Sequence, residues 1–119
     1  MKNFRELKVW NKSHELTLEV YRSTRSFPKQ ETYGLTSQMR RAAVSVSANI
    51  AEGCARGSDK ELARSCQIAI GSASELEYLL QLATDLKLLN VSESTPLTNR
   101  IVEVKKMLAG LIKKLTAEC

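Results

Sequence analysis

At 119 residues the chain is long enough for one domain with a substantial hydrophobic core, but too short for two. It is 43% hydrophobic and only 5% aromatic, with two prolines and five glycines, a composition that favours long uninterrupted helices. It carries a net charge of +5, has no apolar run near the roughly 20 residues of a membrane span, and begins with charged residues untypical of a signal peptide. We therefore expect a soluble cytoplasmic protein.

The positive charge is unevenly distributed along the chain. Residues 1–41 contain nine Lys or Arg and four Glu, a net +5, whereas residues 42–119 contain nine charges of each sign. The excess therefore belongs to the first helix, the loop after it and the start of the second helix. Such a local basic field attracts phosphate, but the same net charge is common in proteins that bind no nucleic acid.

The first predicted helix covers residues 4–26. Asn3 followed by Glu6 resembles a capping box at its start, and Pro28 disfavours helical geometry at Phe27, which places its end near residue 26. Helical spacing predicts that one face is buried, formed by Phe4, Leu7, Trp10, His14, Leu18 and Tyr21.

The second predicted helix, residues 35–55, has two distinct faces. Its apolar face recurs at alternating spacings of four and three, and consists of Leu35, Met39, Ala42, Val46, Ile50 and Gly53. A polar stripe runs beside it and consists of Arg41, Ser45, Asn49, Glu52 and Arg56. This stripe is either a half-exposed solvated face or a surface that contacts other protein.

The last two predicted helices cover residues 59–89 and 96–117. Ser58 with Glu61 predicts an N-terminal cap for the third helix, and Thr95-Pro96 predicts the start of the fourth. The third helix repeats apolar residues at spacings of four and three: Leu62, Cys66, Ala69, Ala73, Leu76, Leu80 and Ala83. A second apolar row widens that face and consists of Ile70, Leu79, Leu82, Leu86 and Leu89. This face is wider than one antiparallel neighbour can cover, which is consistent with an oligomer contact as well. With short loops and no strand pattern, the sequence predicts an all-α, antiparallel up-down-up-down four-helix bundle forming a single domain, 1–119.

Few residues point to catalysis, a metal or a cofactor. The single histidine, His14, has no Glu three residues before it, which excludes the Glu-x-x-His pairs of di-metal bundles. We expect His14 to be a core residue, and we expect no catalytic residue, metal or cofactor. Cys54, Cys66 and Cys119 fit neither a zinc site nor a disulfide framework; the first two are expected near the core.

Two groups of polar residues are candidate sites. The first is a cationic group that antiparallel packing would bring to one end of the bundle, suited to phosphate contact: Arg22, Arg25, Lys29, Arg40 and Arg41. With Tyr33 as the one plausible stacking residue, binding should be directed at the backbone and sensitive to salt. The second is a polar network that either sets the register of helices two and three or contains a catalytic carboxylate pair: Ser45, Asn49, Glu52, Ser72 and Glu75.

The run RRAAVSVSANIAEG resembles the family of ribosomal RNA intervening-sequence proteins, together with Phe27-Pro28, Glu31, Tyr33-Gly34-Leu35 and Gln38 before it and Ser72 and Glu75 after it. That family is similar to the accessory variability protein of diversity-generating retroelements. The resemblance implies a homopentameric barrel of four-helix bundles. In the similar accessory protein, such a basic barrel binds nucleic acid and a reverse transcriptase.

Three hypotheses follow. The first is a non-enzymatic basic homo-oligomer that binds the backbone of RNA or DNA, with a reverse transcriptase or another protein as a further partner. The second is an interaction scaffold whose basic face meets an acidic protein. The third, an enzyme, requires that the region of Glu52 and Glu75 form an open pocket.

Overall fold

Four α-helices account for most of the chain, for which a computed structural model describes residues 2–117. They are α1 (Lys8–Thr24), α2 (Ser37–Ala55), α3 (Asp59–Asp85) and α4 (Val91–Leu115). The shorter elements are 3-10 turns at Phe4–Glu6 and Lys29–Glu31 and a π-helical turn at Thr32–Thr36. No strand occurs between residues 2 and 117, so the all-α prediction is confirmed for that part of the chain. None of these helices is both long and apolar enough to cross a membrane.

Neighbouring helices run in opposite directions, as their side-chain contacts show. Between α1 and α2, Ser13 contacts Ser47 while Thr24, further along α1, contacts Arg40, which lies earlier on α2. The same opposed order holds for Ser45–Ser72 and Gly53–Ser65 between α2 and α3, and for Lys12–Glu103 and Glu15–Arg100 between α1 and α4. Each of α1 and α3 packs against both α2 and α4, giving a bundle of 47 × 22 × 19 Å.

The first helix begins four residues later than the sequence predicts. The side chain of Asn3 accepts a hydrogen bond from the Arg5 backbone N–H at 3.1 Å, which caps a short 3-10 turn. Leu7 then adopts an extended conformation, and α1 begins at Lys8. The Asn3–Glu6 pattern therefore caps the turn, because the N–H of Glu6 bonds the carbonyl of Asn3 and not its side chain.

The predicted buried face of the first helix is only partly confirmed: Phe4, Leu7 and Trp10 are half-buried against the core, but the other predicted residues are exposed. The residues that α1 buries are Val9, Ser13, Leu16, Thr17, Val20 and Thr24. His14 is exposed, and Leu18 and Tyr21 are 42% and 40% exposed. The reason is that hydroxyl side chains can occupy a core face when the backbone satisfies them: Ser13 donates to the carbonyl of Trp10 at 2.8 Å, and Thr17 to that of Ser13 at 2.9 Å.

The apolar faces predicted for the second and third helices are confirmed. All six residues of the first set, Leu35, Met39, Ala42, Val46, Ile50 and Gly53, are buried. So are Leu62, Cys66, Ala69, Ala73, Leu76, Leu80 and Ala83 of α3. The two helices approach closely at Gly53, where an added Cβ would lie 2.6 Å from the Cβ of Ser65. Glycine is needed at this position because any side chain would push α3 away.

The junction between α3 and α4 differs from the prediction at both helix ends. α3 ends at Asp85 and not at 89, because Lys87 adopts a left-handed conformation (φ 63°) and the N–H of Leu88 bonds the carbonyl of Ala83. α4 begins at Val91 and not at 96, because Asn90 and Glu93 form a complete capping box. The capping box at Asn90 therefore starts α4 five residues before the expected start at Pro96.

The broad apolar face of α3 is covered within the chain. Leu79 and Leu89 are buried, and Ile70 and Leu82 are half-buried against the core formed with α2 and α4. Leu86 alone of that second row is more than half exposed. Exposed large apolar side chains occur on several helices, among them Leu18 and Tyr21 of α1 and Ile68 and Tyr78 of α3.

Candidate nucleic-acid interface

The five cations proposed for phosphate contact lie at one end of the bundle. Arg22 and Arg25 lie at the C-terminal end of α1, Lys29 lies in the turn that follows, and Arg40 and Arg41 lie in the first turns of α2. The antiparallel pairing of α1 and α2 brings these segments together, since Arg40 contacts both Tyr21 and Thr24.

Arg40 is held in a fixed position by α1. Its Nε donates to Thr24 Oγ1 at 2.9 Å, one terminal nitrogen donates to the carbonyl of Tyr21 at 3.4 Å, and the guanidinium lies 4.6 Å from the centre of the Tyr21 ring. These contacts use only part of its hydrogen-bonding capacity, because a guanidinium carries five N–H donors. Neither Thr24 nor Tyr21 was identified as an interface residue from the sequence, because their contact with Arg40 depends on the register between α1 and α2.

The other cations of this end are exposed and differ in their partners. Arg22 forms an ion pair with Glu19, three residues earlier on α1. Arg25, Lys29 and Arg41 have no carboxylate within ion-pair distance among residues 2–117. Three exposed cations without a carboxylate partner thus lie at the same end as Arg40.

An open cleft of about 590 Å³ lies beside the two arginines of α2. Tyr21 of α1 and Tyr33 of the π-helical turn contribute aromatic rings to it, and Thr32, Ser37 and Ser45 contribute hydroxyl groups. Tyr33 is 96% exposed. Gly34 allows this placement, since its backbone (φ −109°, ψ −112°) is non-helical within the turn.

The structure divides the sequence's basic excess between two ends of the bundle. Lys2, Arg5 and Lys8 precede or begin α1 and so lie at the end opposite Arg40 and Arg41. Lys113 and Lys114, at the C-terminal end of α4, share that opposite end, because α4 runs antiparallel to α1. The five predicted cations thus share one end, and a second group of cations lies at the other.

The polar network proposed between α2 and α3 is only partly brought together. Ser45 Oγ lies 2.8 Å from Ser72 Oγ, and Asn49 donates to the carbonyl and hydroxyl oxygens of Ser45 at 2.8 and 3.1 Å. Glu52 instead bonds Arg56 on its own helix at 2.9 Å, and both side chains are exposed. Glu75 is also exposed, so neither carboxylate is a buried charge that requires a partner.

Glu75 lines a second, smaller cleft of about 310 Å³ between α2 and α3, together with Gln38, Arg41 and Ser45. Arg41 and Glu75 thus border the same space within one chain, without an ion pair between them in the described part of the structure. Glu52 does not line it, so the two carboxylates do not form a common site.

The histidine and two of the cysteines occupy different environments. His14 is exposed and its ring stacks on that of Trp10, with 5.0 Å between centroids, so the expectation of a core histidine is wrong. Cys54 and Cys66 are buried free thiols, as expected, and burial, with Cys54 nearby, raises the pKa of Cys66 to about 11. Cys119 lies outside the described residues. Within residues 2–117, no group of three or more His, Cys, Asp or Glu side chains could hold a metal ion.

Comparisons with known proteins place this fold in a family. The crystal structure of a protein of unknown function from the S23 ribosomal protein family of Bacteroides thetaiotaomicron VPI-5482 superimposes with a TM-score of 0.79 at 26% identity. The alignment covers 88% of this chain and 98% of that one. No curated protein matches the sequence. The family model for 23S rRNA-intervening sequence proteins matches residues 5–110, and the chain therefore belongs to that family.

Proposed function

We propose that this protein is a non-enzymatic basic homo-oligomer that binds the sugar-phosphate backbone of RNA or DNA. The observation that carries the proposal is the cationic end formed by Arg25, Lys29, Arg40 and Arg41. None of these four has a carboxylate partner within residues 2–117, although the chain contains enough acidic residues to supply them. Arginine suits this role because its planar fork can bind two phosphate oxygens at once.

Oligomerisation would increase the affinity of such a site. The outer side of α1 exposes His14 and Leu18, with the half-buried ring of Trp10 stacked on that of His14. We propose that this side of α1 forms the contact between copies and that the assembly is a homopentamer. A closed pentamer would carry about five times the charge of one chain, so several weak phosphate contacts would act together.

The assembly can be tested separately from nucleic-acid binding. Size-exclusion chromatography with light scattering should give the mass of a pentamer for the wild type. Leu18→Glu, at a position that is 42% exposed, should fold and elute as a smaller species. A wild-type monomer across the concentration series would refute the proposed oligomer.

Nucleic-acid binding is best tested by fluorescence anisotropy of labelled structured RNA and duplex DNA over a salt series. Arg41→Ala removes an exposed cation with no structural partner, and Arg64→Ala on α3 is the matched control, since it is exposed and lies near the opposite end of the bundle. Loss of one phosphate contact should reduce the slope of log affinity against log salt by about 0.9 on duplex DNA. Arg64→Ala should leave the slope unchanged.

Two results would count against this function. Absence of binding at low salt would remove the nucleic-acid hypothesis and leave an interaction scaffold for an acidic protein, to be sought by pull-down. Binding that is insensitive to Arg41→Ala but lost in Arg64→Ala would place the nucleic-acid-binding surface at the opposite end.

A reverse transcriptase is the protein partner that the sequence resemblance proposes. Co-purification with such an enzyme encoded beside the gene would test this proposal.

A further inference from the structure

The cleft beside Arg40 and Arg41 combines features that a simple phosphate-binding surface does not need. Its volume of about 590 Å³ lies within the range of small-molecule sites. It contains two aromatic rings, of which Tyr33 is almost completely exposed. A tyrosine ring held so far into solvent has no packing role in the core of the bundle.

The two arginines of the cleft can bind an anion that lies next to an aromatic ring, because Arg40, Arg41 and Tyr33 line the same space. Arg40 is immobilised by Thr24 and Tyr21, so little side-chain entropy is lost when its guanidinium binds a phosphate. Arg41 is exposed and can move towards the same ligand. The hydroxyl groups of Thr32 and Ser37 add hydrogen-bond donors on the cleft wall.

A second cleft on the same molecule provides a contrast. The groove between α3 and α4 is of similar size, about 610 Å³, and also has an exposed tyrosine, Tyr78. No Lys or Arg lines it within residues 2–117, and its carboxylate, Glu77, is paired with Lys105 at 3.0 Å. Of these two clefts, the one beside α1 and α2 therefore joins an exposed ring to unpaired cations.

We propose that this cleft binds one unpaired nucleotide, with the base stacked on Tyr33 and its phosphate held by Arg40 and Arg41. This inference rests on the proposed nucleic-acid function and specifies which form of nucleic acid the site prefers. A base within a duplex is stacked on both faces and cannot offer one to a protein ring, whereas a base in a single strand or loop can. The protein therefore prefers single-stranded or looped nucleic acid over a perfect duplex.

The test compares strands that differ only in their bases. Anisotropy titrations use a labelled single strand, the matched strand with abasic sugars in place of successive nucleotides, and the duplex of the same sequence, each as RNA and as DNA. The wild type should bind the intact strand at least about 5-fold more tightly than the abasic strand, since one base–aromatic stack is worth about 1–3 kcal/mol.

Variants of Tyr33 assign that difference to the cleft. Tyr33→Ala should remove the preference for the intact strand, whereas Tyr33→Phe should keep it because the ring is retained. Tyr78→Ala is the matched control and should behave as the wild type. Circular dichroism should show unchanged folding, because neither ring is buried.

The outcomes separate this inference from the proposed function. Equal binding of intact and abasic strands, with affinity still lost in Arg41→Ala, would overturn the nucleotide site and leave backbone binding intact. A preference that survives Tyr33→Ala would also overturn it. No binding of any strand at low salt would overturn both proposals.

Discussion

The close approach of α2 and α3 at Gly53 makes a prediction about stability that has an internal control. In Gly53→Ala the new Cβ would lie 2.6 Å from Ser65 Cβ, 2.9 Å from Ser65 Oγ and 3.0 Å from Leu62 Cδ1. Carbon atoms in contact prefer about 3.5–4.0 Å, and Ser65 Cβ cannot move without its helix. Overpacking of this kind costs about 1–3 kcal/mol, while replacing glycine in a helix returns about 0.5–1 kcal/mol. We expect a net loss of about 1–2 kcal/mol.

Gly71→Ala is the matched control for this substitution. Gly71 lies in the middle of α3, and a Cβ added there would have no atom within 4 Å. No clash opposes the gain in helix propensity at this position, so the variant should be stabilised by about 0.5–1 kcal/mol. The same chemical change should thus have opposite signs at two glycines of adjacent helices.

Urea unfolding followed by circular dichroism, at one fixed protein concentration, measures both effects. A double-mutant cycle of Gly53→Ala with Ser65→Gly isolates the clash, because removing the Cβ of Ser65 should recover most of the loss. If Gly53→Ala were as stable as the wild type, or stabilised like Gly71→Ala, α2 and α3 would not approach as closely as the structure has them.

Three further predictions concern other parts of the bundle. Lys87→Gly should raise the free energy of unfolding by about 1 kcal/mol, because Lys87 adopts a left-handed conformation (φ 63°); unchanged urea midpoints would contradict this. Thr17→Val should lower it by about 1 kcal/mol in the same assay, because Thr17 is buried and bonds the carbonyl of Ser13; a neutral result would show that the hydrogen bond adds nothing. Burial raises the pKa of the Cys66 thiol from 9.0 to about 11, so the neutral thiol stabilises the fold below pH 9, and this contribution is lost as the pH rises towards 11. Urea titrations across that range should therefore show a steeper loss of stability for the wild type than for Cys66→Ala, and parallel curves would refute it.

The helices that could be predicted from the sequence are those whose buried face is apolar. α2 and α3 follow the period of a helix in Leu, Ile, Val, Met and Ala, and the predicted faces are the buried ones. The buried face predicted for α1 was partly wrong because the actual core face mixes Val9 and Leu16 with hydroxyl residues such as Thr17. Large rings such as Trp10 lie at the edge of that face. Hydrophobicity alone misreads a face whose polar groups are satisfied by the backbone.

The candidate site was predictable in its charges but not in its geometry. Helix ends and short loops were enough to bring Arg25 and Arg40 to the same end. The bonds from Arg40 to Thr24 and Tyr21 depend on how far α1 is shifted along α2, which no local pattern specifies. The start of α4 was misplaced for a similar reason, since Asn90–Glu93 and Thr95-Pro96 are both plausible starts and only the first is used.

The hydroxyl contacts between α1 and α2 fix the relative position of the two helices. Thr17 lies 3.2 Å from the carbonyl of Ala43 and 3.3 Å from Ser47 Oγ, and Ser47 donates to Ser13 at 3.0 Å. Apolar faces alone could slide by one helical turn, about 5.4 Å, with little change in buried area. A shift of α1 along α2 would leave several buried hydroxyl groups without hydrogen-bond partners, which lowers the stability of the fold. These hydrogen-bonded side chains therefore fix the register between α1 and α2. That register determines where Arg40 and Arg41 lie relative to the C-terminal end of α1.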